Sequence, residues 1–256
     1  MGPETRTQHA AITMRNRMML SILGSVAILS VTSPADAQER RPLQVDDMFA
    51  IKGVGAPVIS PDGDWIAYTV SETSLEEERS ETRIWMVSTG GGNPLPMTAT
   101  GSSAGNPKWS PDGRHLSFTS SRGESSNQVW VLDRRGGEAH QLTDLDQGVG
   151  THSWSPDGTK LLLSLRDPEL QQTWADGKPN SPQPPWVIDR LQFKRDGVGY
   201  ITGNRRTHLY TLDVETKALT QITSGPYDES QATWSPDDKY VAFVSNRTAE
   251  PDRNQN

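Results

Sequence analysis

Apolar and polar residues alternate along four short stretches of the chain, and a similar five-residue motif precedes each stretch. The apolar side chains occupy every second position: Ile66, Tyr68 and Val70; Leu116 and Phe118; Leu161, Leu163 and Leu165; Val241 and Phe243. A period of two puts these side chains on one face of an extended backbone, which is typical of half-buried strands. The pattern therefore predicts four strands, each with one face against a core.

The motif that precedes these strands is a predicted hairpin turn. It reads ISPDG at 59–63, WSPDG at 109–113 and at 154–158, and WSPDD at 234–238. Proline presets φ for the second position of a turn, aspartate bonds nearby backbone, and glycine accepts a positive φ. Each copy thus predicts a turn between two antiparallel strands.

The spacing of the turns indicates a repeat architecture. Their prolines, Pro61, Pro111, Pro156 and Pro236, lie 50, 45 and 80 residues apart. Repeats of roughly 40 to 50 residues with four short strands each are typical of propeller blades. We predict an all-β fold, a β-propeller of four-stranded blades that occupies residues 57–256 and contains about four to five blades.

The interval of 80 residues has two interpretations. It could hold one ordinary repeat and a second repeat that has lost its turn motif. It also contains residues 167–185, where proline and polar residues are frequent, and these predict an insertion loop. Trp174 within that loop and Trp186 directly after it are interpreted as covers for exposed core rather than as groups that stack on a ligand.

The end of the chain predicts an unfinished blade. Residues 187–197 predict a strand that ends in an Asp-Gly turn, and 208–213 and 221–223 resemble the third and fourth strands of a blade. The last repeat, at 233–245, supplies only a first and a second strand. We expect the chain to be truncated, although residues 43–50 could lend one strand to this last blade.

Two further segments carry weaker predictions. Residues 43–51, within a segment at 38–56 that leads into the propeller, predict either one helical turn or a strand, with Asp46 or Asp47 as a cap. Residues 71–82 are rich in glutamate and predict a solvated loop. The alternative for that loop is an acidic clamp for a substrate amine.

Composition excludes several classes of function. The formal charge is −7, and removal of residues 1–37 would take away three basic and two acidic side chains and leave −8. A chain with this charge is not predicted to bind nucleic acid. Cysteine is absent, which excludes disulfides, thiol catalysis and thiolate metal sites.

The amino terminus predicts a secretory signal peptide at 1–37. Two arginines precede an apolar run at 18–31. The small residues Ala35 and Ala37 stand third and first before a predicted cleavage site that follows Ala37. A membrane anchor, the alternative, needs about 20 apolar residues, more than this run contains. Met14 is an alternative initiator. An exported, periplasmic protein with no membrane contact after cleavage is the expectation.

The sequence nominates no catalytic, cofactor-binding or metal-binding residue. Residues 101–105 match the G-x-S-x-G pattern of serine hydrolases, but prolines surround them where a strand and a helix are needed, so we interpret them as a linker. The histidines show neither metal spacing nor an acid partner: His9, His115, His140, His152 and His208. Trp109, Trp154 and Trp234 occupy equivalent positions before the turns and are interpreted as core.

Several motifs together resemble a known family. They read VDDMF at 45–49, IDRL at 188–191, KRDGVGY at 194–200, THLY at 207–210, DVET at 213–216, NR at 246–247 and PDRN at 251–254. With the four turns, these motifs resemble the amino-terminal propeller of bacterial acylaminoacyl-peptidase-like enzymes, also called dipeptidyl aminopeptidases, of the prolyl oligopeptidase family of serine peptidases. The resemblance covers about residues 43–256.

The resemblance implies a seven-bladed propeller that admits peptides by size, followed by an α/β-hydrolase domain with the Ser, Asp and His of the triad. This chain contains no counterpart of that domain, so no catalytic residue is carried over. Peptide substrates would be reached through the missing domain. The chain itself is expected to be inactive alone and to need no cofactor.

A second function remains open from the sequence. A TolB-type periplasmic propeller, the alternative, would bind other proteins without chemistry, and the turn motifs taken alone resemble the repeats of this broad class. Peptide specificity, oligomeric state and the ability of the chain to fold alone are not indicated by the sequence.

Overall fold

The computed structural model describes residues 42–122, 126–168, 193–196, 199–200 and 205–248. The predicted signal peptide and its cleavage site lie outside the described residues. So do Trp174 and Trp186.

The described elements are one helical turn and sixteen strands, which form three four-stranded sheets and two two-stranded sheets. The helical turn is α1 (Asp47–Ala50). The first sheet contains β1 (Gly53–Ile59), β2 (Trp65–Ser74), β3 (Arg79–Ser88) and β4 (Leu95–Pro96). The second contains β5 (Ala104–Trp109), β6 (His115–Ser120), β7 (Gln128–Asp133) and β8 (His140–Gln141).

Two strand pairs and one further sheet complete the described chain. The third four-stranded sheet contains β9 (Val149–Trp154), β10 (Lys160–Arg166), β13 (Thr207–Asp213) and β14 (Leu219–Gln221). The pairs are β11 (Lys194–Arg195) with β12 (Gly199–Tyr200), and β15 (Glu229–Trp234) with β16 (Val241–Ser245).

The fold class predicted from the sequence is confirmed. Each four-stranded sheet is an antiparallel meander, and the sheets pack in chain order, with β1 against β5, β5 against β9, and β13 against β15. Apolar side chains fill the interfaces, for example Phe118 between the first two sheets and Leu163 between the next two. This is the packing of an incomplete β-propeller.

The third sheet explains the long interval between turns. β10 pairs with β13 along its whole length, from Lys160 opposite Asp213 to Arg166 opposite Thr207. The strands on both sides of residues 167–206 therefore belong to one blade. The strands at 207–213 and 219–221 complete this third blade and not a fifth one.

The glutamate-rich segment differs from its prediction. Residues 71–82 were expected to form a solvated loop, but β2 and β3 continue through them and turn only at 75–78. Hydroxyl pairs across the ladder support this extension: Ser71 Oγ lies 2.8 Å from Thr82 Oγ1, and Thr73 Oγ1 lies 2.9 Å from Ser80 Oγ. Cross-strand polar pairs can stabilise a strand that buries little apolar surface.

The segment before the first blade forms the helical turn of the two predicted alternatives. Asp46 precedes α1 but makes no side-chain cap, whereas the Asp47 carboxylate accepts a hydrogen bond from the Gln44 N–H at 2.8 Å. A helical turn here does not supply a strand to the last blade. No helix in the described ranges is long and apolar enough to cross a membrane.

One serine closes each hairpin turn. In the second blade, Ser110 N–H donates to the His115 carbonyl and His115 N–H donates to Ser110 Oγ, both at 2.9 Å. The Ser110 hydroxyl donates to the Asp112 carboxylate, which also accepts from Arg114 N–H at 3.0 Å. The same set of bonds recurs at the equivalent serines: Ser60, Ser155 and Ser235.

These bonds change the acidity of the turn aspartates. The Ser60 hydroxyl and the Arg134 guanidinium lower the pKa of Asp62 to about 2. The serine hydroxyl is also the main cause that lowers the pKa of the other three: Asp112, Asp157 and Asp237. The folded state favours the carboxylate form of each aspartate. Its contribution to the free energy of unfolding is therefore complete above the pKa of the unfolded chain, near 4, and is lost as the pH falls through the pKa of the folded state.

The last position of the turn needs a positive φ. Gly63, Gly113 and Gly158 have φ values of 78°, 65° and 74°, and the fourth turn has Asp238 there with φ 59°. Asp238 Oδ1 is also buried without a hydrogen-bond partner in the described part of the chain. The fourth turn therefore carries a strained and incompletely bonded residue that the other three avoid.

Asp238→Gly is expected to stabilise the protein by about 0.5–1 kcal/mol, because glycine accepts this φ and removes the unpaired carboxylate oxygen. The midpoint of urea unfolding measures the change. Gly158→Asp is the matched control and should destabilise by a similar amount. Equal stabilities of Asp238→Gly and the original chain would contradict this account of the turn.

Candidate functional site

Because neighbouring strands of a blade are antiparallel, successive connections lie alternately at its two ends. The turns closed by Ser60, Ser110, Ser155 and Ser235 share one end with the connections between third and fourth strands. The opposite end is here called the loop end. It has the hairpin tip at 75–78, residues 121–122 and 126–127, and the described ends of the segment at 167–206, which are 167–168 and 205–206. Long connections on a rigid scaffold commonly carry function, so the loop end is the candidate functional surface.

A buried ionic cluster lies at the loop end between the third and fourth blades. The side chain of Glu229 is 0% exposed. Its Oε2 accepts hydrogen bonds from Thr223 Oγ1 and lies 2.9 Å from His208 Nδ1. Its Oε1 lies 3.3 Å from Nη2 of Arg247. Both carboxylate oxygens are therefore bonded, as a buried charge requires.

The cluster extends toward the segment at 167–206. Nε2 of His208 lies 3.7 Å from Oδ1 of Asp167, the first residue after β10. Thr223 Oγ1 also accepts the Leu209 N–H at 2.9 Å, so the threonine joins the cluster to the third blade. The cluster thus fixes the point at which this long segment leaves and rejoins the blade.

Arginine side chains stack on aromatic rings at the same end. Arg83 lies 5.4 Å from the centroid of the Trp85 ring. Arg122 lies 4.8 Å from Trp130 and 5.6 Å from Phe118, and Arg247 lies 5.4 Å from Tyr227 and 5.7 Å from Phe243. Such contacts hold a guanidinium in a fixed orientation while its edge stays free for hydrogen bonds.

A concavity lies at the turn end between the second and third blades. Its volume is about 300 Å³, and Trp154, Val131 and Leu142 form apolar walls beside His115 and His140. The structure therefore brings together two histidines that the sequence did not associate. Asp112 and Asp157 also line it, but their carboxylates are already bonded within their own turns.

One serine–histidine contact occurs between the second and third blades. Ser117 Oγ lies 2.9 Å from His152 Nε2, donates to the Lys108 carbonyl at 3.2 Å and accepts from Trp154 Nε1–H at 2.8 Å. Because the serine proton goes to a carbonyl, this network assigns the imidazole proton to Nε2. His152 Nδ1 has no hydrogen-bond partner among the described residues.

This contact is structural and not catalytic. Burial lowers the pKa of His152 to about 3, with a further contribution from the charge of Lys108. An imidazole with that pKa is a weak base at neutral pH, and Ser117 is 0% exposed. A catalytic serine would need an accessible hydroxyl that donates to its base.

The G-x-S-x-G match at 101–105 lacks the geometry of a nucleophile. Residues 101–103 connect β4 with β5, and Gly105 lies inside β5, so no helix follows the serines. Ser103 Oγ accepts a hydrogen bond from Thr82 N–H at 3.2 Å, and its carbonyl accepts one from Ser120 Oγ at 2.7 Å. This segment is a connection between blades.

The three tryptophans before the turns lie at blade interfaces. Trp109 belongs to the core between the first two blades and donates from Nε1 to the Val58 carbonyl at 3.1 Å. Trp154 packs on the next core. Trp234 Nε1 is buried without a partner in the described part, since Leu162 occupies the strand position that Ser117 has in the second blade.

The described residues contain no group of three or more His, Cys, Asp and Glu side chains that could hold a metal ion. The cluster around Glu229 is a set of hydrogen bonds and ion pairs. Its sequence signal is the likeness of FTSSR at 118–122 to FVSNR at 243–247, which aligns Arg122 with Arg247.

Comparison with known families matches these repeats. The model of the PD40 family, described as TolB beta propeller domain, matches residues 44–181, more than half of the chain. The chain belongs to this propeller family. Within it, the predicted resemblance to peptidase propellers is confirmed by the relatives that follow.

The uncharacterized peptidase YuxL of Bacillus subtilis (strain 168) is 32% identical over 212 residues, which cover 82% of this chain and 32% of YuxL. An acylaminoacyl peptidase of Pyrococcus horikoshii aligns with a TM-score of 0.60 at 17% identity, over 79% of this chain and 30% of that one. Another, in complex with Z-Gly-Gly-Phe-chloromethyl ketone, aligns with a TM-score of 0.55 at 16% identity, over 72% and 27%. This chain of the PD40 propeller family thus spans about a third of the length of these relatives.

The buried imidazole of His152 predicts a pH dependence of stability. Its folded pKa, about 3, lies below the ordinary value of 6.5, so the unfolded chain binds a proton that the folded chain excludes between these pH values. Stability is therefore expected to fall on acidification below pH 6.5, with a contribution that approaches about 1.4 kcal/mol per pH unit.

Urea unfolding between pH 7 and pH 5 measures this slope. The contribution of His152 to the dependence of the unfolding free energy on pH should disappear in His152→Gln. The control His140→Gln, at an exposed position, should leave that dependence unchanged. An unchanged slope in His152→Gln would contradict the burial of a neutral imidazole at this position.

Proposed function

We propose that this chain is the propeller portion of an exported serine peptidase that acts on short peptides, with the propeller limiting which substrates reach the catalytic groups. The observation that carries the proposal is the 32% identity to YuxL, a peptidase, along 82% of this chain. The fold likeness to two acylaminoacyl peptidases agrees with it. The triad would belong to sequence outside this chain.

The architecture of the loop end supports a screening role. Cross-strand pairing extends the first hairpin to Ser74 opposite Arg79, and the chain between β10 and β13, some forty residues, leaves and rejoins the third blade at the same end. The Glu229 cluster anchors the base of that segment between two blades. Rigid blades with long connections at one end suit a filter for peptides.

A protein-binding propeller without chemistry is the second candidate. The family description names TolB, and the described residues contain no serine–histidine–acid arrangement with an accessible hydroxyl. In this case the loop end would bind a protein partner, and no hydrolysis would accompany binding.

Labelling of the native polypeptide with a fluorophosphonate probe distinguishes the two candidates. Antibodies against residues 42–248 would recover the polypeptide from cells of the source organism after exposure to the probe. The peptidase proposal predicts a labelled polypeptide in the periplasmic fraction that begins at Gln38 and cleaves short acyl peptides but not an unfolded protein.

Two outcomes would contradict the proposal. Absence of label on a polypeptide that is folded and abundant would favour the binding propeller. Label accompanied by rapid cleavage of an unfolded protein would leave the peptidase but remove the screening role.

A further inference from the structure

The repeat alignment defines one position at which the blades differ in charge. Strand pairing sets Glu229 opposite Ser245 in the fourth blade and Ala104 opposite Ser120 in the second. Glu229 and Ala104 are therefore equivalent, and both are buried. The arginines two residues beyond these serines, Arg247 and Arg122, are equivalent in the same way.

Arg247 has an internal carboxylate. It stacks on Phe243 at 5.7 Å, and its Nη2 lies 3.3 Å from Glu229 Oε1. The guanidinium is thus oriented by a ring and neutralised by an acid from the first strand of its own blade. Arg247 with Glu229 therefore shows how an arginine at this position is bonded when the equivalent of Ala104 is an acid.

Arg122 keeps the stacking but pairs with no acid among the described residues. It lies 5.6 Å from Phe118, the equivalent of Phe243, and 4.8 Å from Trp130. Its Nε is buried without a hydrogen-bond partner, and within the described ranges the side chain makes no ion pair. Ala104 stands where a glutamate would neutralise it, so a fixed guanidinium remains uncompensated at the loop end.

Glu81 of the neighbouring blade bonds the Gly101 N–H and Arg79, and in the described part of the chain no carboxylate pairs with Arg122. Arg83 is equivalent to His208. Arg83 precedes Ile84, whose N–H donates to Thr98, and His208 precedes Leu209, whose N–H donates to Thr223. Arg83 donates from Nε and Nη2 to the Thr98 carbonyl and carries a second positive charge at this blade interface. The interface between the first two blades is therefore rich in guanidinium groups at the place where the last interface buries Glu229.

We propose that Arg122 is a binding site for a carboxylate of a peptide, which takes the role that Glu229 has toward Arg247. Guanidinium and carboxylate form short, charge-assisted hydrogen bonds, often two in parallel, and ring stacking leaves the edge of the guanidinium available for them. The ligand class is a peptide with a free carboxyl terminus or an acidic side chain. Binding is a property of this chain itself and does not depend on the proposed peptidase activity.

The test is NMR observation of arginine Nε–H resonances in the 256-residue chain during titration with N-acetyl-dialanine and with its carboxyl-terminal amide. N-acetyl-aspartate amide, which offers only a side-chain carboxylate, forms a third arm and distinguishes the two sources. The resonance of Arg122, assigned by its loss in Arg122→Gln, is expected to shift with either acid and not with the dialanine amide.

Three variants make the test specific. Arg122→Gln should weaken binding of the acids about tenfold, which corresponds to the loss of one charge-assisted hydrogen bond. Ala104→Glu should weaken binding similarly, because it restores an internal carboxylate like Glu229. Arg114→Gln, which removes an exposed arginine at the turn end that is paired with Asp133, is the matched control and should have no effect.

Circular dichroism would verify that each variant keeps the β structure of the original chain. If Ala104→Glu does not fold, Arg122→Gln and the comparison of acid with amide still show whether Arg122 binds the carboxylate. Equal shifts with acid and amide, or full affinity in Arg122→Gln, would overturn the proposal. Binding that persists only through Arg83 would also overturn it.

Discussion

The hydrogen bonds of one serine close each hairpin turn on which a blade is built. Its N–H and hydroxyl bond the residue five positions later and its hydroxyl donates to the turn aspartate, so the chain reverses with little freedom. This reversal sets the register of the first two strands, and the register sends apolar residues to the blade interfaces. Pro111 then contacts Gly158 of the next turn, where a Cβ would lie 3.6 Å from the proline ring. The blades therefore pack turn against turn at one end.

At the opposite end the blades are free to differ. A threonine hydroxyl accepts one N–H of the third strand in three blades: at Ile84, Val129 and Leu209. The residue before this N–H differs between blades. In the second blade it is Gln128, which donates to the Leu145 carbonyl, and in the third it is His208, which contacts Glu229 of the fourth blade. A backbone bond that is repeated in three blades, beside side chains that differ, lets one scaffold carry different chemistry at each interface. This separation of framework and variation leaves the loop end as the surface on which the blades differ.

Local features of the sequence predicted most of the fold. Alternation and the turn motif specify each hairpin through near neighbours, so strands such as β6 and β10 were predicted closely. Residues 71–82 were predicted wrongly because their strands are supported by polar pairs such as Ser71 with Thr82, which leave no apolar alternation. The partner of β10 lies beyond some forty residues, and the acid partner of His208 lies in another blade. Contacts at that distance depend on tertiary packing, although the likeness of 118–122 to 243–247 contained part of the signal.

Amide hydrogen exchange tests the central claim, that four turns build three complete blades and one two-stranded unit. Slow exchange that is shared by β10 and β13 is expected, because they pair along their full length across residues 167–206. Faster exchange is predicted in β15 and β16, whose sheet has only two strands in the described structure. Fast exchange of β13 with slow exchange of β10 would show that these strands are not partners and would contradict the blade assignment.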